Sequence, residues 1–94
     1  MSKAAKASII IPTYNRVDRL RRVLRAIAGQ TVGSGEFEVI VISDGSTDGT
    51  DEFLRNATTA FQMVPVLRAN AGPASARNAG VRRATGQLLV LGLC

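Results

Sequence analysis

Cys94 is the only cysteine in the chain, so no intrachain disulfide can form, which is compatible with a reducing compartment. Tryptophan is absent and aromatic residues make up 4%, leaving few platforms for stacking the bases of a single-stranded nucleic acid. No stretch approaches the ~20 apolar residues of a membrane span. Lys3 and Lys6 precede a short apolar run, but Pro12 ends it well before the length of a signal-peptide core. These absences lead to the expectation of a cytoplasmic protein, held at the inner membrane face if it is part of a longer parent.

Two familiar nucleotide motifs are also missing. No G-x-x-x-x-G-K-[ST] run exists, which excludes a P-loop, and the first apolar run is followed by PTYNR where a dinucleotide fold needs G-x-G-x-x-G. Acidic residues are scarce too. Lys3, Lys6, Arg16, Arg19, Arg21, Arg22 and Arg25 face only Asp18 in the first third, and the net charge is +5. Such a run reads either as a solvated helix face or as an attraction for phosphate-bearing ligands.

What is present describes one globular domain spanning the whole chain, 1–94. A hydrophobic content of 46% with 20% charged residues is that of a folded unit, not of a low-complexity chain. A chain of this size buries roughly 60 to 65% of its unfolded surface, a small core for a parallel sheet that needs helices on both faces.

The central stretch is Phe37 to Thr50, FEVIVISDGSTDGT. Glu38 to Ile42 is too short for a helix and rich in β-branched residues, so it predicts a buried strand. Asp44 leaves its carboxyl end beside Gly45, where the backbone can take unusual angles and admit a ligand closely. Ser46, Thr47 and Asp48 are capping residues, and a helix is expected from Thr50 to Ala57.

The other elements follow the same logic. Ala7 to Ile11 predicts the first strand, closed by Pro12. Asn15, with Asp18 three residues on, predicts a helix cap, and Leu20, Val23, Leu24, Ile27 and Ala28 form one apolar stripe up to a terminator at Gly29, with 30–35 as the connecting loop. Met63 to Leu67 contains Pro65 and so belongs at a sheet edge. Pro73 suits the first turn of a third helix, Ala74 to Ala84, and Leu88 to Leu91 makes a fourth strand. The order βαβαβαβ requires right-handed crossovers and a parallel sheet, with every strand-to-helix loop on one edge.

That edge gathers the loops 12–16, 44–49 and 70–77, whose chemistry suits a nucleotide. Tyr14 offers a ring for a base, Asp44 an acceptor for a base imide or ribose, and Arg16 and Arg77 cations for phosphate; Gly72 and the amides opening the third helix face an anion. Taken singly, Tyr14 and Arg77 read equally as surface residues, and Asp44 and Asp48 as turn and cap residues. Together they favour a nucleotide cleft at the carboxyl ends of the strands.

These segments carry a resemblance. SIIIPTYNR at Ser8 to Arg16, VIVISDGSTDGT at Val39 to Thr50 and NAGPASARNAG at Asn70 to Gly80 resemble, in order, the signatures of family-two glycosyltransferases. The resemblance implies a three-layer α/β/α sandwich with a mostly parallel, Rossmann-like sheet, the nucleotide-diphospho-sugar transferase fold. It implies transfer of a sugar, with inversion, from a nucleotide-diphosphate sugar to an acceptor hydroxyl, with UDP-sugars the expected donors and cell-wall or polysaccharide synthesis a typical setting. Pro12, Thr13, Tyr14 and Arg16 would line the nucleoside pocket, Asp44 would bond the base, Arg77 would lie near the diphosphate, and Asn70 and Gly72 would shape that wall.

The resemblance further implies a divalent cation, Mg or Mn, on an Asp-x-Asp motif after the fourth strand. Here that strand leads into Leu91-Gly92-Leu93-Cys94, which holds no carboxylate. The expectation is therefore the donor-nucleotide half of a glycosyltransferase, truncated after the fourth strand, without a catalytic residue or metal ligand of its own and inactive alone. An unpaired edge on that strand predicts self-association. Two rival readings are a nucleotide-binding module without turnover and a basic protein that binds nucleic acid through Arg19, Arg21, Arg22 and Arg25. The transferase reading expects no nucleic-acid partner.

Overall fold

The computed structural model describes residues 7–30, 37–59 and 61–90. Most of the expected 30–35 loop and the Leu91 to Cys94 ending lie outside the described residues. The elements run β1 (Ala7–Thr13), α1 (Val17–Gln30), β2 (Phe37–Asp44), α2 (Thr50–Asn56), β3 (Gln62–Arg68), α3 (Pro73–Arg83) and β4 (Gln87–Val90). The four strands form one sheet in the order β3-β2-β1-β4, with every pairing parallel.

Alternation along the strands divides the core between the two faces of the sheet. Ile11, Val39 and Val41 pack with Leu20 and Leu24 of α1, Leu54 of α2 and Phe61. Ile10, Ile40 and Ile42 turn the other way and meet Ala76 of α3. The central strands are thus covered on both sides, giving the α/β/α layers expected of a continuous apolar run. β3 is an edge strand, and Pro65 is exposed on it, where its missing N–H breaks no ladder.

α3 lies unusually close to the sheet because Gly80 faces it without a side chain. A Cβ built there would stand 2.6 Å from both Ile10 Cγ2 and Ile42 Cδ1. The small residues of this helix are therefore a packing requirement, and they hold its first turn over the ends of β1 and β2.

At the opposite, amino-terminal edge, the buried carboxylate of Glu38 clips β4 to the sheet. Its Oε2 accepts bonds from the Ser8 hydroxyl (2.6 Å) and from the backbone N–H and hydroxyl of Thr85 (both 2.8 Å), while Gly86 N–H donates to Ser8 Oγ (2.8 Å). Burial alone pushes this carboxyl up, but those bonds outweigh it and hold Glu38 below the usual range.

Three sequence expectations change. β1 runs through Pro12 to Thr13, because Pro12 lies beyond the last described β4 partner of β1, Ile10↔Val90, and deprives that pairing of no hydrogen bond. Gly29 does not end α1, which continues to Gln30; the glycine is exposed and keeps helical angles. Asn15 does not cap α1 either, for its side chain is engaged by the next loop.

The two glycines predict opposite outcomes. Gly80→Ala should cost about 1 to 3 kcal/mol of unfolding free energy, since the new methyl has to displace stiff isoleucines. Gly29→Ala, which meets nothing within 4 Å, should be neutral or stabilise by about 0.5 to 1 kcal/mol. Urea titration of both variants checks this, and equal costs at the two positions would contradict the packing.

Candidate nucleotide site

The loops that leave β1 and β2 are laced together before they present anything to a ligand. Asn15 takes a left-handed conformation, φ 49°, which asparagine tolerates better than most residues. Its N–H donates to Ser46 Oγ (3.0 Å), and its Oδ1 accepts from Thr47 N–H (2.6 Å). Asp48 Oδ2 accepts from Val17 N–H (3.0 Å), the first residue of α1, while its Oδ1 takes the N–H (3.1 Å) and hydroxyl of Thr50 at the start of α2. One carboxylate therefore caps two helices. Its desolvation raises the pKa, but the bonds from Thr50 and Val17 prevail and lower it.

Asp44 joins the second loop to the third. Its carboxylate accepts the N–H groups of Ala71 at Oδ1 and Gly72 at Oδ2, both at 2.9 Å. Asn70 Nδ2 donates to the Asp44 carbonyl (3.0 Å) and approaches its Oδ2 (3.4 Å). Arg68, paired with Asp44 across β2 and β3, stands 3.7 Å away through Nε and donates to the Ser75 carbonyl (2.8 Å) and hydroxyl (2.6 Å) in α3. Gly45 permits this approach, since a Cβ there would lie 2.6 Å from the Asn70 backbone nitrogen. Gly72, at φ 99°, then turns the chain into α3.

These contacts leave a cleft of about 420 Å³ at the carboxyl edge of the sheet, lined by Pro12, Thr13, Tyr14, Arg16, Arg19, Asp44, Asn70, Gly72, Pro73 and Ala76. Tyr14 is 49% exposed at its rim. Thr13 is buried, and its hydroxyl is the one buried side-chain polar atom without a hydrogen-bond partner among the described residues. A buried hydroxyl left without a partner is costly.

The cleft contains every residue proposed for it from the sequence except Arg77, which is exposed on α3 outside the lining. Arg19 takes a place there instead. Arg68 and Ser75, which support the wall from behind, also escaped the sequence reading. The one signal for Arg68 was its position at the end of the strand beside Asp44. For a divalent cation the fit is poor: no three His, Cys, Asp or Glu side chains converge among the described residues, and Asp44 already holds two amides.

Comparison with known proteins shows the family and the fold. The family model described as "Glycosyl transferase family 2" matches residues 8–92, and the chain belongs to that family. It is 36% identical over 84 residues to glycosyltransferase AglE of Haloferax volcanii, covering 87% of this chain and 28% of the relative. It is 43% identical over 84 residues to validoxylamine A glucosyltransferase of Streptomyces hygroscopicus subsp. jinggangensis, covering 87% of this chain and 20% of that protein.

Among solved structures, S. aureus TarS 1-349 in complex with UDP superposes with a TM-score of 0.83 at 30% identity, over 92% of this chain and 26% of that one. The mannosyltransferase PcManGT from Pyrobaculum calidifontis, in complex with GDP-Man and Mn2+, gives 0.70 at 29% identity, over 89% and 26%. The chain thus spans less than a third of the length of each. The fold is the Rossmann-like α/β/α arrangement of nucleotide-sugar transferases.

Asp44→Asn tests the wall. The amide keeps one acceptor and turns a donor toward a backbone N–H, so it should cost about 1 to 3 kcal/mol. Amide hydrogen exchange at Ala71 and Gly72 should accelerate. Unchanged exchange there would mean that the loop is held by other contacts.

Proposed function

We propose that this chain is the donor-nucleotide part of an inverting glycosyltransferase, and that its cleft takes the uridine of a UDP-sugar. The buried, unpartnered Thr13 hydroxyl on the cleft wall is the observation that carries this reading, because a bound base or ribose would give it the hydrogen bond it lacks. Tyr14 lies at the rim with half its surface free to pack on a base. A carboxylate has about four acceptor sites, so Asp44 keeps capacity for a base N–H while it holds Ala71 and Gly72. Arg16 and Arg19 are the cations on the lining and offset phosphate charge. The UDP held by TarS supports uridine as the base.

The chain's own part in transfer is to bind and orient the leaving nucleotide. In family members with a metal, the cation stabilises the charge that develops on the diphosphate, and a general base activates the acceptor hydroxyl. No metal-ligating cluster of three side chains exists among the described residues, and this chain alone is proposed to bind the donor without turnover.

Calorimetry with UDP tests the reading. The parent chain should bind, Tyr14→Ala should weaken binding about tenfold through the lost stacking, and Thr13→Val should weaken it while leaving the unfolding midpoint equal or higher. Binding that ignores both substitutions would remove the cleft from consideration.

A further inference from the structure

The outer face of α1 has no role in the cleft beyond Arg19, yet with Arg16 just before it this face holds the densest positive charge in the chain. Arg19, Arg22 and Arg25 follow at three-residue spacing and are exposed, as is Arg16 just before the helix. Among the described residues, none of the four guanidinium groups has an ion-pair or hydrogen-bond partner. Arg21 differs, with its guanidinium 5.1 Å over the ring of Phe53. Asp18 is the single acid on the helix, and the nearby Asp48 carboxylate is engaged in capping. A groove of about 630 Å³ on this face is lined by Arg16, Arg19 and Arg22, three cations against the carboxylates of Asp18 and Asp48.

We propose that this face is a docking surface for an anionic lipid bilayer, with the arginines meeting phosphodiester headgroups. From Arg16 to Arg25 the positive array extends about 14 Å along the helix axis. That reach exceeds one phosphate and suits several charges spread in a plane. Clustered basic side chains on a helix bind such surfaces by Coulomb attraction, each contributing about fivefold in affinity. Single-stranded nucleic acid fits less well. Tyr14, the one exposed large aromatic among the described residues, belongs to the cleft rim, so the arginine face has no stacking partner to offer a base. The opposite face of the sheet carries Arg77, Arg82 and Arg83 on α3, which makes a control of equal charge available.

The test is co-sedimentation of the chain with vesicles of phosphatidylcholine alone and of phosphatidylcholine mixed with phosphatidylglycerol. The chain should bind only the mixed vesicles and be released by high salt. The double variant Arg22→Gln, Arg25→Gln should bind about 25-fold more weakly, taking fivefold for each arginine, whereas Arg82→Gln, Arg83→Gln should bind like the parent. No binding to mixed vesicles, or equal losses in the two double variants, would overturn the proposal. So would release by millimolar pyrophosphate at constant ionic strength, the mark of a small-anion site, or tighter binding to duplex DNA with the same dependence on Arg22 and Arg25. UDP affinity read in parallel should be unchanged in both double variants, so the nucleotide reading stands or fails separately.

Discussion

A single carboxylate at the end of β2 determines whether this edge of the sheet is a site or a set of loose loops. Asp44 is 4% exposed, and it accepts two backbone amides from the segment that turns into α3. A buried charge has to be paired or richly hydrogen-bonded, and bonds to charged acceptors contribute about 1.5 to 3 kcal/mol each. The cost of burying Asp44 and the ordering of residues 70–72 are therefore two sides of one arrangement. Arg68 adds an ion pair from the next strand and fastens α3 through Ser75.

The rest of the fold brings these partners within reach. β1 and β2 lie side by side at the centre of the sheet, so their loops emerge together and are joined through Asn15 and Asp48. α3 returns on the opposite face from α1 and α2, and the missing side chain at Gly80 lets it descend onto Ile10 and Ile42. The cleft lies between these two constructions, with Thr13 on its wall. Binding chemistry at the carboxyl edge thus depends on packing along the middle of the sheet.

The elements were legible in the sequence wherever apolar period and chain direction act locally. β-branched runs gave the strands, Pro65 marked an edge, and the alternating order led to the parallel sheet. The errors arose where distant partners decide. Asn15 has the composition of a cap, yet its side chain is taken by Thr47, and α1 receives its cap from Asp48, thirty-one positions away. Arg77 sat in a promising motif but is exposed outside the cleft lining, while Arg19, from the basic run of α1, is part of that lining. Helical phase relative to the sheet edge determines which arginine enters, and sequence spacing alone does not carry that angle.

The most direct test is a two-dimensional amide spectrum of the isotope-labelled chain recorded with and without UDP. The account predicts a dispersed spectrum in which Thr13, Tyr14, Ala71 and Gly72 shift together, because the ligand would sit against the wall that Asp44 builds. Shifts confined to α1 and α2, or none at saturating nucleotide, would contradict it and leave the Asp44 network as architecture without a ligand.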